Sequence, residues 1–287
     1  MENSKTVKIG IVGHGFVGKA TNYGFSLNTE KYIVDPLLNT NINGLASFDP
    51  KFVFISVPTP MSSSGEQNSK IIQEVIRELS KKCPKSIKII KSTVLPKILN
   101  DLVKYDKKIV YNPEFLREKH ANDDFINSSM IILGGPKNIC LKVAELYRNH
   151  SKCTTNEYIF TDISTASLIK YSINTFLASK VVFFNEMYNL FKASDSNDSW
   201  NDMVSAVSKD LRIGLSHLDV PGHDGKYGFG GACFPKDTIA LVKYAESLGI
   251  DLSVLKTVVK TNNKIRSQYD KLEGRESEQN ISFDDKI

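Results

Sequence analysis

Cysteine is scarce, with four residues in 287, at positions 83, 140, 153 and 233. They lie far apart and form no C-x-x-C pair, which excludes a disulfide scaffold and the spacings of a zinc module. No metal site is expected, and a reducing, cytoplasmic setting is. No run approaches the ~18 consecutive apolar residues of a membrane span. The opening Met1-Glu2-Asn3-Ser4-Lys5 is polar and has no signal-peptide pattern. Charge of one sign is nowhere concentrated. The formal net charge is +5, but the lysines are scattered and no basic block is interleaved with aromatics, so neither nucleic acid nor a membrane is an expected partner. No repeat of solenoid period is present. What is left is an ordinary globular composition, 41% apolar and 24% charged, in a chain long enough for two domains.

The first half alternates short apolar runs with helical spacing. Val7–Val12 reads as a buried strand, followed at once by Gly13-His14-Gly15-Phe16-Val17-Gly18 and a helix. A second strand, Tyr32-Ile33-Val34, ends in Asp35. This is strand, G-x-G-x-x-G, helix, strand, acid, which is the layout of a dinucleotide site. Gly13 allows the tight turn, Gly15 lets a pyrophosphate approach the helix N-terminus, and Gly18 lets helix and strand pack closely. Asp35 is placed to bind the adenosine ribose hydroxyls and to repel a 2′-phosphate, which favours NAD over NADP. Further strands are expected at Phe52–Val57, Ile87–Ile90, Ile109–Tyr111 and Met130–Leu133, with a helix over 69–81. The alternation predicts a doubly wound parallel sheet. Polar clusters follow three of these strands: Pro58-Thr59-Pro60, Ser92-Thr93 and Asn112-Pro113-Glu114. Ligands in such sheets bind at the carboxyl ends of strands. Glu114 and Glu118 share a helical face if Asn112 caps and Pro113 opens the helix.

Residues 161–193 contain neither Gly nor Pro. At ~1.5 Å per residue this predicts a helix about 50 Å long, suited to linking domains or building a dimer interface. Lys170 and Asn174 lie one turn apart on it. A second helical stretch is expected over 200–211. A glycine-rich loop, 221–231, then leads to Gly230-Gly231-Ala232-Cys233-Phe234-Pro235-Lys236-Asp237. Pro235 suits a first helical turn, and a helix N-terminus favours thiolate over thiol. Cys233 therefore reads as an activated nucleophile with the Asp237 carboxylate one turn away.

Together these motifs resemble the UDP-glucose 6-dehydrogenase family of nucleotide-sugar dehydrogenases. The match continues through Val57-Pro58-Thr59-Pro60, Lys91-Ser92-Thr93-Val94, Asn112-Pro113-Glu114-Phe115-Leu116-Arg117-Glu118, Lys170 to Asn174, Phe184-Asn185-Glu186 and Leu211-Arg212-Ile213-Gly214, in the family's order over roughly residues 5 to 266. The resemblance implies a Rossmann NAD-binding domain over 1–158 and a mainly helical central domain over 159–266 that dimerises through the long helix. The tail, 267–287, has no hydrophobic periodicity and is expected to be disordered. The implied reaction is a four-electron oxidation of UDP-glucose to UDP-glucuronate with NAD. Cys233 would carry a thiohemiacetal and then a thioester, with Lys170, Asn174, Asp237, Glu114 and Thr93 as its catalytic companions. Cofactor contacts are implied for Gly13, Gly15, Phe16, Val17, Gly18, Asp35, Val57, Pro58, Thr59, Thr93 and Glu118. Substrate contacts are implied for Phe115, Leu116, Glu118, Lys170, Asn174, Arg212, Tyr227, Gly228, Phe229 and Gly230, with Arg212 reaching from a partner subunit.

Two departures from the family pattern stand out. The stretch between Asp35 and Phe52 is short and reads as lacking intervening elements. The family's third domain, a second Rossmann-like unit that binds the nucleotide diphosphate, has no counterpart after Arg266, and a truncated form is expected. Two other readings stay open: a dehydrogenase of a UDP-N-acetylhexosamine or GDP-mannose, and a non-enzymatic NAD-binding or assembly protein.

Overall fold

The computed structural model describes residues 6–283. The polar opening at 1–5 and the last four residues of the expected tail lie outside the described residues. The chain divides into two compact units. The first takes residues up to Thr59 and Asn68–Lys170, and the second takes Pro60–Gln67 and the chain from Tyr171 onward.

The first unit is built on seven strands: β1 Val7–Val12, β2 Thr29–Val34, β3 Phe52–Ile55, β4 Ile87–Ile90, β5 Ile109–Tyr111, β6 Ile131–Gly134 and β7 Tyr158–Thr161, in the order β2-β1-β3-β4-β5-β6-β7. Strands β3 to β6 are buried throughout, as expected of a sheet covered on both faces. On one face Val53, Ile55 and Ile90 pack beneath α2 (Ile42–Phe48), α3 (Lys70–Lys82), α4 (Pro96–Tyr105) and the first turns of α7 (Ile163–Ala193). On the other, Ile9, Ile11, Phe54 and Ile89 pack beneath α1 (Phe16–Gly24), α5 (Ala121–Ile126) and α6 (Lys137–His150). Alternation along each strand feeds both cores, which is the physical basis of double winding.

Several expectations are corrected here. The sheet is mixed: β5 and β6 pair antiparallel, through Tyr111 and Gly134. The connection between them carries a 3₁₀ turn and the short α5 and does not return the chain to the starting end of the sheet, as a parallel pair requires. A boundary at 158/159 would cut through β7, a four-residue edge strand whose pairing with β6 left too short a pattern to read. The stretch after Asp35 is not bare. It holds a 3₁₀ turn, Pro36–Leu38, and α2, whose first N–H groups are capped by the Asn41 side chain.

The second unit is mainly helical. It takes the continuation of α7, then α8 (Trp200–Val207), α9 (Phe234–Ser247), α10 (Ser253–Arg266) and α11 (Gly274–Glu278). The segment Pro60–Gln67 joins it by packing Met61 with Ile239 and Val259. Helix α8 stops short of the expected 211. The Asp210 carboxylate accepts from the Arg212 backbone N–H and pairs with the Arg212 guanidinium, a local bond that competes with helix. The tail expected to be disordered is structured over 267–283. It carries α11 and buries Glu276, Ile281 and Phe283. Its principal anchor is an ion pair from Glu276 to Arg266, which hydrophobic periodicity cannot report.

Candidate active site

In the first unit, five consecutive parallel strands deliver their motifs to the same edge of the sheet. Gly13 follows β1 with φ +88°, and a Cβ there would lie 2.5 Å from the Ser56 carbonyl oxygen. Gly15 caps α1 without any side-chain hydrogen bond, and nothing lies within 4 Å of where its Cβ would be. There is thus room for a ligand to approach the backbone beside the helix N-terminus. At Gly18 a Cβ would sit 2.0 Å from the Gly13 carbonyl oxygen, so this helix lies against the turn as only glycine permits. Phe16 packs on the core and Val17 accepts a hydrogen bond from the Thr21 hydroxyl. Asp35, at the end of β2, accepts from the His14 N–H at 2.7 Å and the Leu37 N–H at 2.9 Å. Each carboxylate oxygen keeps a lone pair for a further donor. The neighbouring His14 imidazole is held below its usual pKa, chiefly by burial and then by the Lys19 charge. A helix N-terminus with room beside Gly15, a glycine turn and an acid at the next strand end fit a dinucleotide.

After β3, Val57 and Thr59 are buried and Pro58 is exposed. The Thr59 hydroxyl donates to the Thr93 carbonyl at 2.9 Å, and the Ser92 hydroxyl to the Val57 carbonyl at 2.7 Å, which ties the β3 and β4 loops together. After β5, Glu114 is buried. Its Oε2 accepts from the Leu116 N–H at 2.6 Å, and its Oε1 lies 3.5 Å from the Lys170 ammonium. Lys170, 2% exposed, also donates to the Glu114 carbonyl oxygen and lies over the Phe115 ring. Thus Glu114, Phe115 and Lys170 come together. Glu118 does not join them through a shared helix. Residues 112–117 form a loop, and Glu118 is exposed at the start of a 3₁₀ turn. The reason is Asn112, whose side chain is withdrawn into the core to accept from Lys91 at 3.1 Å and to donate to the Ile132 carbonyl at 2.9 Å, and so cannot cap.

In the second unit, Cys233 is the N-cap residue of α9, and Pro235 stands in the first turn. Burial pushes the thiols of Cys83, Cys140 and Cys153 up, Cys140 to about 11, which removes them as nucleophiles at neutral pH. Cys233 alone of the four stands at a helix N-terminus. One turn on, Asp237 is fully buried. Its Oδ2 accepts from the Asn174 amide at 2.7 Å and its Oδ1 from the Lys236 ammonium at 2.5 Å. Asn174 lies one helical turn after Lys170 on α7. The loop before Cys233 is held by side chains. Gly228 N–H donates to Asn185 at 3.0 Å and Phe229 N–H to Asn262 at 2.7 Å. Tyr227 is exposed, Phe229 is buried, and Gly230 lies against Arg266. Arg212 is almost fully exposed and pairs with its neighbour Asp210.

Sequence reasoning left out several residues that complete these clusters: Lys236 beside Asp237, the Lys91–Asn112–Tyr147 network behind Glu114, and Arg266 with Glu276. Lysines and glutamates in a polar-looking stretch give no signal of burial. Only the packing that folding builds around them reveals it.

Comparison with known proteins agrees with this layout. Residues 35–151 match the NAD binding domain of the UDP-glucose/GDP-mannose dehydrogenase family, and residues 164–264 match its central domain. A UDP-glucose 6-dehydrogenase of Rickettsia felis is 35% identical over 237 residues, covering 78% of this chain and 50% of the relative. One of Rickettsia prowazekii is 36% identical over 242 residues, covering 79% and 52%. The chain spans about half the length of the curated relatives it matches. Among solved structures, a UDP-glucose dehydrogenase from the archaeon Pyrobaculum islandicum superimposes with a TM-score of 0.77 at 25% identity, over 92% of this chain and 69% of that one. No helix among the described residues is long and apolar enough to cross a membrane. The nucleotide for which the first unit is built is NAD, and with both of its domains matched in order, the chain belongs to the UDP-glucose/GDP-mannose dehydrogenase family.

Proposed function

We propose that this chain acts in the NAD-dependent oxidation of a nucleotide sugar, UDP-glucose to UDP-glucuronate, with Cys233 as nucleophile. The observation that carries the reading is Cys233 at the N-terminus of α9, one turn before a buried Asp237 that is hydrogen-bonded by Asn174 and Lys236. A binding module has no use for such an arrangement.

NAD, when bound, accepts the hydrides. Gly13, Gly15, Phe16, Val17 and Gly18 would receive its pyrophosphate, Asp35 its ribose hydroxyls, and Val57, Pro58, Thr59, Thr93 and Glu118 its nicotinamide end. The chain's own residues would supply the remaining chemistry. Lys170 and Asp237 serve deprotonation of the primary alcohol, through water. Asn174 and the Lys170 ammonium stabilise the oxyanion that forms when Cys233 Sγ adds to the aldehyde carbon. The thiohemiacetal so formed is oxidised to a thioester, and Glu114 delivers a water to it, releasing carboxylate and free thiol. Phe115, Leu116, Tyr227, Gly228, Phe229 and Gly230 would line the sugar. Arg212, exposed here, would reach the substrate of a partner copy in a homodimer built on α7, which exposes Phe176, Phe183 and Leu190 near heptad spacing.

The test is NADH formation with purified protein, NAD and UDP-glucose, read to its end point. Two NADH per sugar is the expected result. In Cys233→Ser, turnover stops at the aldehyde while NAD affinity is kept, and a loss of NAD affinity in that variant would count against the assignment. Oxidation of GDP-mannose or a UDP-N-acetylhexosamine in place of UDP-glucose would move the substrate, and NAD binding without oxidation of any of them would overturn the reading.

A further inference from the structure

The segment after α10 does more than cover the surface. Glu276 is fully buried, and its Oε1 accepts from the Gly231 backbone N–H at 3.0 Å and from the Arg266 guanidinium at 2.9 Å. Its Oε2 accepts from the Glu273 N–H at 2.8 Å. Arg266 also donates to Asp224 at 2.7 Å, and its guanidinium lies near the rings of both Tyr269 and Phe283. A Cβ on Gly230 would fall 2.3 Å from Arg266 Nη2 and 2.4 Å from Glu276 Oε1. The backbone of the loop therefore rests directly on the ion pair. Tyr269 adds a second tie, its hydroxyl accepting from the Tyr227 N–H at 2.9 Å, and Lys226 a third, donating to the Lys271 carbonyl at 3.0 Å. The segment is itself anchored at its far end, where Gln279 and Asn280 bond both backbone groups of Met61.

Burying two carboxylates and a guanidinium is costly, and apolar side chains would fill the same space at lower cost. What apolar side chains cannot do is accept from a backbone N–H two residues before the nucleophile. Gly231 has φ +76°, a conformation with no side chain of its own to hold it, and the Glu276 carboxylate fixes its N–H from outside.

We propose that residues 269–283 form a strap that positions the nucleophile loop, with Glu276 acting through Gly231 and Tyr269 acting through Tyr227 to aim Cys233. The proposal rests on Cys233 being the nucleophile, yet the strap itself can be tested without turnover. The experiment is hydrogen–deuterium exchange with mass spectrometry on the full chain, for Glu276→Ala, Glu276→Gln and Tyr269→Phe. Loss of the carboxylate is expected to speed amide exchange over 227–233 by about tenfold or more, while exchange in α9 and α10 stays within about twofold. Iodoacetamide labelling of Cys233, read by peptide mass, rises in parallel. Glu276→Gln keeps an acceptor oxygen for Gly231 and restores most of the protection. Tyr269→Phe, which keeps the ring and loses only the acceptor oxygen, opens the Tyr227 end alone and decides the matter if Glu276→Ala does not fold. Unchanged exchange over 227–233, or acceleration spread evenly through α9 and α10, would reduce Glu276 to a packing role and overturn the proposal. Failure of the NADH assay with this exchange pattern intact would instead remove the enzymatic reading and leave the strap.

Discussion

Lys91 offers a quantitative test of the interior behind Glu114. Its side chain leaves the end of β4 and is 4% exposed. The ammonium meets the Asn112 carbonyl oxygen at 3.1 Å and the Tyr147 hydroxyl at 3.4 Å, both neutral groups. Burial lowers its pKa and the Lys170 charge adds to that, with Glu114 and Cys153 opposing in part, so that it falls from 10.5 to about 8. In the unfolded chain the group titrates at its ordinary value of about 10.4. Below pH 8 both states hold the proton and the full penalty of about 3 kcal/mol is present. Between pH 8 and 10.5 the folded state releases the proton while the unfolded state keeps it, so the unfolded state binds more protons and stability rises with pH. From pH 7 to pH 9 the gain amounts to about 1.4 kcal/mol. The assay is urea unfolding of the wild type and Lys91→Met at a series of pH values, since the difference cancels groups common to both. Tyr147, pushed well above its ordinary range by burial, stays protonated throughout this window. The wild type is expected to gain on the variant as pH rises. A flat or falling difference would refute the reasoning, because it would mean that the ammonium is solvated.

Other consequences can be checked in parallel. Asp35→Ala should weaken NAD binding by about tenfold or more, the worth of a charge-assisted hydrogen bond; calorimetry showing unchanged affinity would mean the ribose lies elsewhere. Gly18→Ala places a methyl 2.0 Å from the Gly13 carbonyl oxygen and should cost about 1–3 kcal/mol of stability along with NAD affinity, so an unshifted urea midpoint would contradict the close helix packing. Burial alone would raise the Asp224 carboxyl, but the Arg266 guanidinium and the Lys226 N–H outweigh it and hold it below the usual range. Its contribution is therefore complete above the ordinary carboxylate pKa and is lost as pH falls through the lowered one. Asp224→Asn should lower the urea midpoint at neutral pH and flatten its decline in acid, and a decline as steep as the wild type's would show that the pair does not hold the charge.

The alternation of apolar runs was legible because the central strands β3, β4 and β5 are buried on both faces and write near-continuous hydrophobic stretches. The glycine turn, Asp35 and the start of α9 were legible because helix ends and tight turns restrict residue type locally. The placement of Glu114 was not. Asn112 and Pro113 make a plausible helix start, and only the capture of the Asn112 side chain by Lys91 and Ile132 turns the segment into a loop. The fate of the tail was also hidden, since its anchors, Arg266 to Glu276 and Gln279 to Met61, join positions 10 and 218 residues apart in the chain.

By itself the sequence determined the strand–turn–helix frame, the NAD signature and the position of Cys233 at a helix start, all set by backbone constraints acting over a few residues. Tertiary structure alone decided which charges are buried and with whom. Lys170 with Glu114 and Arg266 with Glu276 are stable inside the protein because partners brought by folding compensate the loss of water. That compensation depends on distances between side chains, which no local pattern in the chain records.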